Sequence, residues 1–280
     1  MINPLRRHGH KGRVFNYCEN HMINEKIVRV NIGGKAVYFH ILGAIDREFL
    51  DRVVEILSTA YRDLGETPDY LEVYVYESTL VKQEKLIREA IKTGVPLIGD
   101  YPVSHDAWSG WPRIHIDYEK CRGLSEKQLR ALLYHEAGHS ILHGSLSSYF
   151  ISIKANRLNR FNLDPLEAIY LASVVVKDLD IHYFLSSRGL DRVIEDYFEY
   201  VKPLIMEEKC GSLREILEFS KLISPCVVIN CTGLDKILEF QCRRIYESVI
   251  IALRHIVSLE KPLSTRIETF INELIEYTLH

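Results

Sequence analysis

The sequence predicts an α+β protein in which strands and helices intermix first and a mainly helical region follows. Three observations carry this expectation. Residues 26–42 and 71–76 alternate apolar and polar side chains, the two-residue period of a strand. Apolar residues recur at helical spacing after Asp46, over 79–92 and after Ser125. From Asp164 onward the pattern is helical, punctuated by Gly and Pro.

Each element follows from its residues. Ile27, Val28, Val30 and Ile32 form one run and Ala36, Val37, Phe39 and Ile41 the next, with Gly33-Gly34 between them; this is a hairpin with a tight primed turn. Asp46 caps a helix whose apolar face holds Phe49, Leu50, Val53 and Leu57, and Gly65 ends it. Residues 71–76 form a strand, 79–92 an amphipathic helix before Gly94, and 95–98 a short strand. Residues 99–112 carry Gly99, Pro102, Trp108, Gly110, Trp111 and Pro112, so a long loop is expected, of the packed or functional kind. Arg113–Tyr118 alternates as a strand. Ser125 starts the next helix, with Gln128 completing a capping box and Gly144 as the stop. Residues 145–163 read as an irregular connection with a short strand at 149–153. Asp164-Pro165 opens a helix that runs to about Ser186 and stops near Gly189. Another begins at Asp191, and the helical remainder breaks near Gly211, Ser224-Pro225, Gly233 and Pro262.

Composition narrows the function classes. With 47% hydrophobic and 26% charged residues, the chain has the make-up of a globular protein. A net charge of -3 argues against a general nucleic-acid binder. No run of 18 apolar residues predicts a membrane span, and no apolar core follows the basic N-terminal residues as in a secretory signal. The six cysteines (Cys18, Cys121, Cys210, Cys226, Cys231 and Cys242) form no C-x-x-C pair and are expected to be reduced cytosolic thiols rather than a second metal site. Gln occurs only at 83, 128 and 241, while Ile, Tyr, Lys, Arg and Glu are frequent, a usage that leans toward a thermophilic source. Residues 1–24, with Arg6–Arg13, are expected to be a flexible basic tail and a candidate partner-binding arm.

The chemistry concentrates at His135-Glu136-Ala137-Gly138-His139. Residues four apart share one face of a helix, so both imidazoles can reach one zinc ion. Glu136 is then placed beside an open metal position, where a carboxylate can act as general base on a water. A catalytic zinc wants a third protein ligand. His143 continues the four-residue spacing, but three such residues span about 12 Å along the axis and cannot converge on one ion. His143 is expected to cap the helix end or support a neighbour. The helix from Asp164 offers Glu167, Asp178, Asp180 and His182. Asp178 shares the apolar face of Leu171, Val174 and Leu185, where an unpaired carboxylate is costly, so it is the favoured third ligand. Asp180 is turned toward the expected solvent side, Glu167 is about 16 Å along the axis from Asp178, and His182 is a candidate supporting donor. An internal salt bridge of Asp178, to Arg188 or Arg130, is the alternative.

The motif helix, the alternating strands before it and the later carboxylate-bearing helix resemble the zincin metallopeptidases. That resemblance implies a mixed sheet above a cleft floored by the metal helix, with Arg113–Tyr118 as the edge strand that pairs with an extended peptide. It divides the chain into an α/β subdomain at 25–144 and a helical subdomain at 145–280 that carries the third ligand. It implies one zinc, a peptide or protein substrate, and a Tyr or His that stabilises the oxyanion, for which His115, Tyr134, Tyr183 and Tyr197 are candidates. The metzincin extension is absent, since Leu142 and Ser145 stand where its Gly and His would be, and no Asn-Glu-x-x-Ala/Asp motif follows. With no signal or span, the expected location is cytoplasmic. The rival readings are a zincin-fold binding or scaffold protein with a non-catalytic zinc, and a regulator that binds nucleic acid through Arg6–Arg13.

Overall fold

The computed structural model describes residues 24–93, 101–153 and 163–278. The expected N-terminal tail and the strand at 95–98 lie outside the described residues. The fold is α+β, with one five-stranded mixed sheet and a mainly helical C-terminal part.

The hairpin forms as its turn chemistry requires: β1 (Glu25–Ile32) pairs antiparallel with β2 (Lys35–Leu42), and Gly33 and Gly34 take φ of 59° and 83°. Helix α1 (Arg47–Leu64) is capped by Asp46, which accepts from the Glu48 N–H at 3.1 Å. Strand β3 (Tyr70–Tyr76) runs parallel to β2, helix α2 (Thr79–Thr93) follows, and β4 (Val103–Asp106) lies antiparallel to β5 (Arg113–Asp117), itself parallel to β3. The sheet order is β1-β2-β3-β5-β4.

This order corrects the expected edge strand. Arg113–Asp117 is internal, and the edge is β4, inside the segment read as a loop. Four residues reading Val-Ser-His-Asp carry too little alternation to announce a strand, and they are held by pairing with β5. The short strand expected at 149–153 does not form: a single 3-10 turn (Leu146–Ser148) precedes residues without regular structure.

After the short α3 (Tyr118–Cys121), helix α4 (Glu126–Leu142) starts from the expected capping box. Ser125 Oγ accepts from the Gln128 N–H at 3.3 Å, and Gln128 Oε1 accepts from the Ser125 N–H at 3.0 Å. His143 is the C-cap residue, one of the two roles expected of it, and Gly144 follows. Every residue from Ala131 to Ser140 is buried, the burial of a helix covered on all sides. Sheet and α1 cover one side; α5 (Pro165–Ser187) and α6 (Asp191–Glu207) cover the other. Then come α7 (Leu213–Ile223), the short α8 (Leu234–Ile237), α9 (Phe240–Ser258) and α10 (Leu263–Thr278). One continuous apolar core runs from Val37 and Val73 through Leu133 and Val176 to Phe270. No described helix is long and apolar enough to cross a membrane.

The expectation of reduced cysteines is overturned for four of the six, and Cys18 lies outside the described residues. Cys210 pairs with Cys242 across 32 residues and Cys226 with Cys231 across five, with Cα separations of 5.1 and 5.3 Å, inside the range a disulfide spans. Cys121 is free and buried. The first link joins the segment after α6 to α9, a pairing that depends on helix packing and leaves no mark in local spacing.

Candidate metal centre

Helix α4 presents His135 and His139 one turn apart, and α5 brings Asp178 against them. The approach is close because residue 138 is Gly. A Cβ there would stand 3.0 Å from Ile181 Cγ2, one turn along α5 from Asp178. The glycine therefore admits a side chain of α5, not a backbone, and sets the spacing of the two helices.

The ligand atoms converge. His139 Nε2 lies 3.1 Å from His135 Nε2 and 3.1 Å from Asp178 Oδ1, and His135 Nε2 lies 3.7 Å from Asp178 Oδ1. A tetrahedral ion with N and O ligands at about 2.0–2.1 Å needs those ligands about 3.3–3.4 Å apart. The three atoms fit one face of that tetrahedron, and all three residues are buried, so the cluster can hold a metal ion. Three protein ligands leave a fourth position.

Burial and charge tune the neighbours. Burial pushes the Glu136 carboxyl up to about 7, partly opposed by His135, and His139 down to about 3. Burial alone would raise Asp178, but the Lys221 charge and the two imidazoles hold it well below the usual carboxylate range. Lys221 Nζ, from α7, is 4.0 Å from Asp178 Oδ2 and 3.9 Å from the centre of the Tyr101 ring. Neither Arg130 nor Arg188 makes that contact: Arg130 pairs with Asp196 at 2.9 Å, and Arg188 lies over Phe184.

The other sequence candidates are placed as follows. Glu167 sits in the first turn of α5 and pairs with Arg214 at 3.1 Å, away from the cluster. His182 is wholly buried with its ring 5.2 Å from that of His135, and neither nitrogen has a hydrogen-bond partner among the described residues. Asp180 does not face solvent as expected; α10 packs over α5 and supplies Arg266, which pairs with it. Of the four oxyanion candidates, Tyr197 alone lies at the cluster, its ring stacked on His135 at 4.6 Å. Tyr134 donates to Asp63. His115 is bonded to Tyr76 and Asp106 on the opposite face of the sheet, and Tyr183 lies near Arg254.

Sequence reading missed His105, Tyr149, Lys177 and Lys221. His105, on β4, stacks on His139 with ring centres 5.8 Å apart and planes 8° from parallel. Tyr149 Oη is 3.3 Å from His105 Nδ1, its ring packs on Trp108 at 4.6 Å, and Lys177 Nζ lies 3.9 Å from its centre. The one signal for this group was the Trp-bearing loop, whose large apolar residues had to pack on something. No family model matches the chain, and no curated protein matches it significantly.

Proposed function

We propose that this chain is a zinc-dependent peptidase of zincin-like architecture. The observation that carries the reading is the convergence of His135 Nε2, His139 Nε2 and Asp178 Oδ1 beside the buried Glu136. Two imidazoles and a carboxylate are a zinc donor set, and three protein ligands are the number found in catalytic sites. When bound, zinc supplies Lewis acidity, which lowers the pKa of a coordinated water toward 7 and polarises a carbonyl.

The chain's own residues do the rest. Glu136, buried next to His135, can take a proton from the attacking water and return it to the leaving amine. Tyr197, stacked on His135, and Lys221, beside Asp178, would be the groups to meet developing negative charge on the substrate oxygen. Among the described residues, β4 has no strand on its outer side. A peptide or protein substrate adds there as a further strand, passing His105 beside the cluster. Membrane and nucleic acid play no part in this reading. A cytoplasmic location is compatible with the disulfides, because intracellular proteins of hyperthermophiles carry them and the residue usage leans toward a thermophilic source.

Glu136→Gln tests the mechanism. The variant should keep one zinc per chain and lose about 10²–10⁴-fold in peptide cleavage; undiminished cleavage would sink it. The reading as a binding or scaffold protein is favoured by one observation, that Lys221 already balances the Asp178 charge. Purified protein that holds one zinc yet binds peptides without cleaving them would decide for that reading, in which the zinc is non-catalytic.

A further inference from the structure

His139 Nδ1 lies 3.1 Å from His143 Nδ1. At that distance one ring nitrogen donates its N–H and the other accepts. The other nitrogen of His143, Nε2, lies 3.5 Å from Asp180 Oδ2. Asp180 is in turn gripped by a forked pair from α10: Arg266 Nη1 donates to Oδ1 at 2.6 Å and Nη2 to Oδ2 at 2.7 Å. His143 is buried, so water does not compete within the chain of contacts.

We propose that Asp180 and Arg266 are positioning residues that act through His143 to set the ring tautomer of His139, leaving its Nε2 lone pair aimed at His135 and Asp178. The proposal rests on the reading of those three residues as metal ligands. A carboxylate only accepts, so Asp180 draws the proton of neutral His143 onto Nε2. Nδ1 of His143 is then an acceptor, and His139 must donate to it from its own Nδ1. That leaves His139 Nε2 without a proton, as metal ligation requires. Asp178 Oδ1, 3.1 Å from His139 Nε2, pulls the other way and favours a proton on that nitrogen. Two carboxylates, two residues apart on α5, thus compete for the direction of one two-ring chain. Arg266 fixes Asp180 in the competition. A half-buried ion pair of this kind adds little to stability over an apolar pair of similar volume, so fold stability alone does not account for it.

The double variant Asp180→Leu/Arg266→Met removes both charges at similar volume. Zinc affinity is measured on the full chain by competition with a chelating dye. Fold is followed by near-ultraviolet circular dichroism, and the histidine tautomers by 15N NMR. The variant should fold and bind zinc about 10–100-fold more weakly than wild type, the range for loss of an outer partner of a metal-binding His. Wild type should show His143 protonated at Nε2, with and without zinc, and the variant should lose that preference. Unchanged zinc affinity in the variant, or a wild-type His143 protonated at Nδ1, overturns the proposal. So does a double variant that fails to fold, since the network would then be structural. If wild type binds no zinc, the metal-site reading fails by itself, and the His143 tautomer still decides the relay.

Discussion

The two faces of the sheet each bury a group of histidines, and they use them in opposite ways. On the α2 face, His40, Tyr74, His115 and Tyr76 stack, with ring centres 4.3 Å apart for the first pair and 5.9 Å for the last. Both His115 nitrogens are satisfied there, Nδ1 by Tyr76 Oη at 2.8 Å and Nε2 by Asp106 Oδ2 at 2.7 Å. Arg113 completes the charge balance, bonded to Asp106 and to Glu89. On the α4 face, His135 Nδ1, His105 Nε2 and both nitrogens of His182 lack partners among the described residues, while two imidazole nitrogens and a carboxylate oxygen converge on one point. The first arrangement is closed on itself and serves the fold; in the second, the converging Nε2 atoms of His135 and His139 and Oδ1 of Asp178 can hold a metal ion. Burial of a histidine says little about its role; how its nitrogens are satisfied says much.

The contrast can be broken experimentally. The largest expected effect is on metal. His135→Ala should weaken zinc binding by more than about 100-fold, beyond the range for outer partners. Its counterpart, His115→Ala, should leave zinc content unchanged but destabilise the protein by about 2–4 kcal/mol, because it opens a cavity and strands Asp106 and Tyr76. Denaturant unfolding with parallel metal analysis separates the two, and an exchange of these phenotypes would end the distinction. A smaller effect comes from adding metal. Zinc at 100 times its dissociation constant should stabilise wild type by about 2.7 kcal/mol, seen as a rise in melting temperature that His135→Ala does not share. The smallest effect is at His182. Replacing this unpartnered ring by Phe should raise the stability of the metal-free protein by about 1 kcal/mol. A loss of stability there would show that His182 has a partner in solution.

The legibility of these regions differed for the same physical reasons. The capping box at Ser125, the two-glycine turn, and the Asp164-Pro165 start were readable because each is a contact within four residues. Asp178 was singled out because the apolar face of a helix can be drawn from spacing alone. Asp180 was misread from the same wheel, since Arg266 arrives from 86 residues away. The edge strand escaped because β4 has only four residues and borrows its conformation from β5. The disulfides escaped because nothing in the spacing of Cys210 and Cys242 reports that α9 packs beside the end of α6.

Local chemistry along the chain was sufficient to place two imidazoles on one helix face, since the 3.6-residue period leaves no other outcome for H-x-x-x-H in a capped helix. Which carboxylate meets them and which histidines merely support the sheet are long-range matters. They follow from how closely α5 can approach α4 over Gly138 and from where α10 delivers Arg266. Those distances arise from packing among residues far apart in the chain, which no period or cap encodes.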